Sequence, residues 1–494
     1  MFVKYAVLVL YALMMVVIFI VTARKSLSLK EFLLGGRHVG AWMSALSYGA
    51  SYFSAVIIVG YAGSMGWTYG VSAAWSGIGN ALIGSLLAWS LLARPVRRMG
   101  EKLNVNTLPG FFEKRFGSKA MKLFAAGLIF VFLIPYSASV YKGLGTMFQM
   151  ALGIDYTWCV VGIALLAALY LFAGGYKATA ITDFIQGIIM IVGIVLVVFY
   201  IIRSAGGLSA GLAKLGELGQ YNTALPESGK VSSLFTNVLL TSVGVLALPQ
   251  MVHKFFAIKD EGSVKRATVI STVFALVIAG GIYFAGGFSR VILPNIAYEG
   301  GTMYEAVASG RVSQDMIMPT LLTDQTYVMI PDALQGLFIV LLLSASVSTL
   351  TSLVLASSSV ITLDLLEPVL KKRRPAATML TMRGLCVAFV ILSLVINFLM
   401  QNTPIMQLMS LSWGVIAGAF LGPFIFGLLW KKTTTAGAFS GMAAGFLIAL
   451  VPPLVLGMSY TALSGVLGMA AGLVVTPLVS AFTQRVRVPA AETV

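Results

Sequence analysis

Asp183 stands about one turn inside an apolar run, AITDFIQGIIMIVGIVLVV, and neither Lys nor Arg occurs in the nineteen residues that follow it. A carboxylate inside a bilayer costs about 2.5–3.5 kcal/mol on insertion scales, so it needs a partner. A cation from solution is one answer; solvation at the membrane interface is the other. A second run, SASVSTLTSLVLASSSV at residues 344–360, places the hydroxyls of Ser348, Thr349, Thr351 and Ser352 on overlapping helical faces. A hard cation such as sodium takes oxygen ligands, and hydroxyls, one carboxylate and free backbone carbonyls supply them. Taken singly, the hydroxyl run reads equally well as small residues packing helix against helix. Taken with Asp183, it favours a sodium site.

Three further side chains lie deep in apolar sequence. Lys142, in SASVYKGLGTMFQ, either snorkels toward a membrane face or attracts an anionic solute. Tyr136 follows Pro135 nearer mid-span, and Trp75 is expected at comparable depth. Each reads as packing or as a solute contact.

Side chains at such depth must be carried by spanning helices of about 20 residues each. Thirteen apolar runs are long enough, centred near Leu13, Ser54, Ile83, Ile134, Leu165, Ile191, Val243, Leu276, Leu343, Ile391, Gly418, Phe446 and Met469. They are numbered here span 0 to span 12. Two of them contain helix-breaking sequence. Span 1 reads ALSYGASYFSAVIIVGYAG, with Gly49, Ala50 and Ser51 expected at the break. Span 6 reads TSVGVLALPQMV, with Gly244 and Pro249. Irregular backbone at membrane depth is tolerated only where it is buried in protein or lines a cavity. Two breaks five spans apart are what paired five-helix repeats of inverted topology require. The expected division is an extra helix in residues 1–29, repeats at 40–204 and 233–430, and two C-terminal helices in 434–484, all within a single membrane domain.

Composition limits the function classes. Of 494 residues 59% are hydrophobic and 10% are charged, with a mean hydropathy of +0.94. A soluble domain carries about 25% charged residues. The lipid bilayer is therefore part of this chain's surroundings. The net charge of +16 lies in short loops between apolar runs, which is a topology signal rather than a nucleic-acid surface. Basic loops begin at Arg94, at His253 and at 366–375, and Lys431, Lys432, Arg485 and Arg487 complete the set. Threading thirteen spans puts all of these on one side, so the N-terminus is expected outside and the C-terminus in the cytoplasm of a multi-pass plasma (inner) membrane protein. The first run, residues 2–22, is followed by Arg24 and Lys25 and reads as a retained helix, not a cleaved signal. Two cysteines and two histidines argue against disulfides, metal clusters and His-based catalysis, so no enzyme is expected. A channel would need a repeated pore signature, which is missing. Proton coupling through Asp183 remains the nearer rival, though it leaves the hydroxyl run without a purpose.

Four stretches carry a family resemblance. EFLLGGRHVGAWMSALSYGAS at 31–51, TLPGFFEKRFG at 107–117, GGYKATAITDFIQG at 174–187 and GLLWKKTTTAGAFSG at 427–441 resemble, in order, hallmarks of the sodium/solute symporter family. The resemblance implies an all-α, leucine-transporter-like inverted five-helix repeat with broken helices 1 and 6, about thirteen transmembrane helices and added helices 0, 11 and 12. It implies one sodium site from the carbonyls of Ala50, Phe53 and Ala345 with the hydroxyls of Ser348 and Thr349. A second falls on Asp183, Ser348, Thr351 and Ser352, giving one or two ions per cycle. The implied solute contacts are Ser54, Trp75, Tyr136, Thr241 and Val245. Ser54 and Tyr136 resemble the sodium/proline symporters, but Thr241 and Val245 stand where those carry a tryptophan and a tyrosine. GVLALPQMVHKFFAIKDEGSVKRATV is similar to sodium/pantothenate symporters, which points to a small organic acid first, then amino acids, then sugars. Tyr136 stands where sialic-acid members carry an arginine, which counts against that solute. The expected partners are the solute, sodium and lipid, with no nucleic acid and no obligate protein.

Overall fold

In lipid a peptide group finds no water, so a chain this apolar closes its hydrogen bonds within helices. The computed structural model describes residues 2–23, 39–366 and 375–484. Arg24, Lys25, Arg485, Arg487, the first part of the 31–51 hallmark and most of the basic loop at 366–375 lie outside them. The principal helices are α1 (Phe2–Ala23), α2 (Ala41–Tyr52), α3 (Ala62–Tyr69), α4 (Ala74–Ala81), α5 (Lys119–Leu152), α6 (Tyr156–Ser204), α7 (Ser228–Val243), α8 (Pro249–Ala257) and α9 (Glu261–Ala275). They continue as α10 (Gly281–Gly286), α11 (Asp332–Val360), α12 (Pro375–Leu399), α13 (Ile405–Leu429), α14 (Thr435–Leu456) and α15 (Thr461–Thr483). The connection between α10 and α11 carries a small hairpin, with Ala297 opposite Thr302 and Tyr298 opposite Gly301.

Ten helices among the described residues are long and apolar enough to cross a membrane, and two shorter apolar ones are Lys4–Ile18 and Tyr156–Ala168. Thirteen separate spans are not reproduced as such. Spans 4 and 5 share the single element α6, and Val56–Lys102 runs through the end of span 1 and all of span 2. Within that stretch the chain reverses at Gly70 (φ 64°), where a Cβ would stand 2.1 Å from the Tyr221 carbonyl oxygen.

Both expected breaks are present, one of them displaced. Span 6 runs as α7, a 3-10 turn over Gly244–Ala247, an extended Leu248 (φ −71°, ψ 127°) and then α8, whose first residue is Pro249. Proline at that position loses no helical hydrogen bond. Span 1 breaks at Phe53 and Ser54, not at Gly49–Ser51. Phe53 is extended (φ −106°, ψ 100°), and the helix restarts at Val56 in a π-turn. Gly49 serves packing instead, because a Cβ there would lie 2.3 Å from the Phe274 ring.

A second correction concerns Lys254. The basic stretch beginning at His253 was expected as loop, but Lys254 lies inside α8 and is buried. The helix started by Pro249 runs on to Ala257, and the chain leaves it only at Ile258. There Lys259 N–H donates to the Val39 carbonyl, tying the end of α8 to the entrance of α2.

The last three helices meet on glycine. A Cβ at Gly445 of α14 would stand 1.9 Å from the Gly418 carbonyl oxygen of α13, and one at Gly468 of α15 would stand 2.7 Å from the Gly445 oxygen. Without a hydrophobic drive between helices in lipid, such close backbone approach supplies the packing. Gly445→Val is therefore expected to lower the melting temperature of the detergent-purified protein, by an overpacking cost of at least about 1–3 kcal/mol. Gly127→Val, at a position with open space around it, leaves the melting temperature unchanged.

Candidate functional site

The break in span 1 leaves backbone groups without helical partners, and α11 supplies them. Ser346 Oγ accepts from Ala55 N–H at 3.0 Å. Thr349 Oγ1 lies 3.3 Å from the Ala50 carbonyl, 3.2 Å from the Ser51 carbonyl and 3.0 Å from the Ala345 carbonyl of its own helix. Ser51 Oγ sits 3.3 Å from Ser348 Oγ and 2.9 Å from Ser352 Oγ. The structure thus gathers Ala50, Ala345, Ser348 and Thr349 of the first expected sodium set around one junction. Phe53, the fifth member, lies at the break with its ring stacked on Tyr52 at 4.3 Å between centroids. The oxygens gathered at the junction are hydroxyls and backbone carbonyls, with the Asp183 carboxylate reaching it only through Ser348, a set that suits a hard monovalent cation.

The second set is differently arranged. Asp183 is fully buried and accepts a hydrogen bond from Ser47, while Lys254 Nζ lies 3.4 Å from its Oδ2 and donates to Ser47 Oγ at 2.7 Å. Ser348 also faces the carboxylate. Asp183 Oδ1 has no hydrogen-bond partner among the described residues. Ser352 joins the group only through Ser51, and the Thr351 hydroxyl donates to the Ser348 carbonyl on its own helix at 2.9 Å. The partner of Asp183 is therefore a lysine from α8, seventy-one positions away, where sequence had pointed to a cation from solution.

Four of the five expected solute contacts are buried near the two breaks. Ser54 caps the restarted helix by accepting from Val56 N–H at 3.2 Å. Tyr136 meets Trp413 edge-on at 5.6 Å and faces Ser54. Thr241 accepts from Tyr52 OH through its carbonyl at 2.6 Å, and Val245 lies in the 3-10 turn of span 6. Tyr52 OH also lies 3.1 Å from Asn80 Oδ1, which accepts from Ser242 Oγ as well. Trp75 is not brought to this centre. It is 36% exposed, donates its indole N–H to the Ala224 carbonyl at 2.7 Å and packs on Phe235. The chain reversal at Gly70 places Trp75 at the start of span 2, away from the two breaks.

Lys142 does not offer its charge to a solute. Its ammonium lies 3.1 Å from Asp315 Oδ2 and donates to the Thr403 carbonyl at 2.6 Å. Asp315 in turn accepts the N–H of Ile405, the first residue of α13.

Sequence reasoning missed Ser47, Ser51, Asn80, Lys254 and Trp413. Ser47 and Ser51 stand four apart and so share one helical face, a signal that was available. The pairing of Lys254 had none, because nothing local relates α8 to α6.

Two interrupted helices within a helical membrane bundle, with hydroxyl and carbonyl oxygens gathered at one break and a buried neutral polar cluster beside it, define a secondary transporter of the leucine-transporter-like fold. A family model described as the sodium:solute symporter family matches residues 32–445, and the chain belongs to that family. It is 29% identical to the high-affinity proline transporter PutP of Bacillus subtilis over 429 residues, covering 85% of this chain and 86% of the relative. It is 28% identical to a sodium/proline symporter of Staphylococcus aureus over 466 residues, 90% and 85% of the two chains. A solved sodium-coupled sialic acid symporter in a substrate-bound, outward-open state superposes with a TM-score of 0.80 at 18% identity, covering 98% of each chain. The family is one of transporters rather than enzymes.

Asp183→Asn leaves the Lys254 ammonium buried without its counter-charge, and breaking such a pair costs about 3–5 kcal/mol. The expected outcome is a large fall in the melting temperature of the purified protein. Asp183→Asn combined with Lys254→Met recovers most of it, and failure to recover would show that the two charges do not depend on each other.

Proposed function

We propose that the chain imports a small organic acid together with sodium by alternating access, with the N-terminus outside and the C-terminus in the cytoplasm. The observation that carries the ion's place is the gathering of Ala50, Ser51, Ala345, Ser348, Thr349 and Ser352 oxygens where α2 ends. Sodium arriving there draws the carbonyls of span 1 toward the hydroxyls of α11. This holds the break shut around a solute beside Ser54, Tyr136, Thr241 and Val245, while the repeats at 40–204 and 233–430 rock about it.

The driving force bounds the result. At 100 mV one inward charge releases about 2.3 kcal/mol, and a tenfold sodium gradient adds about 1.4. One sodium therefore supplies about 3.7 kcal/mol, nearly three decades of accumulation for a neutral solute. A monovalent anion gives back about 2.3, leaving about one decade.

A second reading, a proline-like amino acid, draws on the printed names of the relatives. The centre around Tyr52, Asn80, Ser242 and Trp413 is neutral, which suits a zwitterion as well as a carboxylate whose charge sodium offsets. Thr241 and Val245, in place of two aromatic side chains, weigh toward the acid.

The test is thermal stabilisation of the purified protein by carboxylates, amino acids including L-proline, and sugars, each in sodium and in potassium at equal ionic strength. A carboxylate that stabilises only in sodium is the expected result. Equal stabilisation in both salts would remove the sodium reading in favour of proton coupling. Thr349→Ala is expected to raise the half-saturating sodium concentration about tenfold or more, with uptake recovering at high sodium.

A further inference from the structure

The buried Asp183 carboxylate already faces a positive charge. Lys254 reaches it from α8, with Nζ 2.7 Å from Ser47 Oγ and 3.4 Å from Asp183 Oδ2, and both charged side chains are essentially excluded from solvent. These are oxygens of the kind a sodium ion would take, a carboxylate and a hydroxyl, met by an ammonium that cannot diffuse away. Two like charges at this separation repel strongly in a low-dielectric interior, while one cation beside one carboxylate is neutral. We infer that Lys254 is a tethered cation occupying the second ion position, so that the chain binds and carries a single sodium, at the junction of α2 and α11. The inference rests on the sodium-symport reading above and assigns its stoichiometry.

The geometry adds a consequence for motion. Ser47 lies on α2, Asp183 on α6 and Lys254 on α8, so the ammonium joins both broken helices to a continuous one. The backbone bond from Lys259 N–H to the Val39 carbonyl joins the same two broken helices again at their ends. A free ion could enter and leave this place in each cycle; a lysine side chain moves only with α8. The half-helices α2 and α8 are thus held together independently of the sodium concentration, and ion binding at the α2–α11 junction is left as the sodium-dependent step.

Stoichiometry separates the cases. A second co-transported sodium multiplies the limiting accumulation of a given solute by about 500-fold at 100 mV and a tenfold gradient. The experiment counts sodium ions bound to the purified full chain with radioactive sodium as the probe, at constant ionic strength in choline. One ion per protein is expected for the wild type and for Lys254→Arg. Lys254→Met opens the place beside Asp183, and the count rises to two, with a melting temperature that becomes steeply sodium-dependent. Asp183→Asn with Lys254→Met returns the count to one, at an affinity within about threefold of wild type, and carries the test should the single variant fail to fold. Two ions on the wild type, a single ion on a folded Lys254→Met protein, or a tenfold loss of affinity in the double variant would each overturn the inference. A wild-type count of zero would instead sink the sodium-symport reading itself.

Discussion

Everything at the centre of this protein follows from one cost: a peptide group in lipid must find a hydrogen-bond partner. Where α2 ends at Phe53 and Ser54, the helix cannot provide it. The repair comes from hydroxyls of α11, with Ser346 taking the N–H of Ala55 and Thr349 facing the carbonyls of Ala50 and Ser51. A hydroxyl satisfies such groups without a full charge, so the contact can open and reform at low cost. A continuous helix at this place would have no free carbonyl to offer an ion, and a salt bridge would not release one.

Two buried ion pairs flank that junction along span 1, and the Asp183 carboxylate touches it through Ser348. Ser47, before the break, belongs to the Asp183–Lys254 pair. Gly60, after it, packs against Ile405, whose N–H is held by Asp315 of the Lys142 pair. Buried pairs of this kind add little net stability, but removing one partner is costly. They therefore act as fixed ties between particular helices. Between the two pairs lies a neutral middle built from Tyr52, Asn80, Ser242, Trp413 and the two breaks, the place proposed above for the solute.

The similarity to a sialic acid symporter at 18% identity lies in the fold. In this chain that fold rests on where two helices break and on where glycine lets helices touch, as at Gly418, Gly445 and Gly468. Thr241 and Val245 lie buried where span 6 breaks within that fold.

Sequence alone determined that the chain is a helical membrane bundle, because hydropathy and charge report directly on lipid and water. It also located the break in span 6, since Pro249 acts through its own ring, and named Asp183 and the α11 hydroxyls as polar groups too deep to be idle. Tertiary structure decided what those groups meet. The break in span 1 lies at Phe53, where α11 supplies hydroxyl partners, while Gly49 packs on Phe274 across the bundle. Trp75 went to an exposed position because of the turn at Gly70. Asp183 received a lysine from α8, a pairing that no local pattern encodes, because it arises only when two helices separated in the chain are packed side by side in a medium that will not solvate either charge.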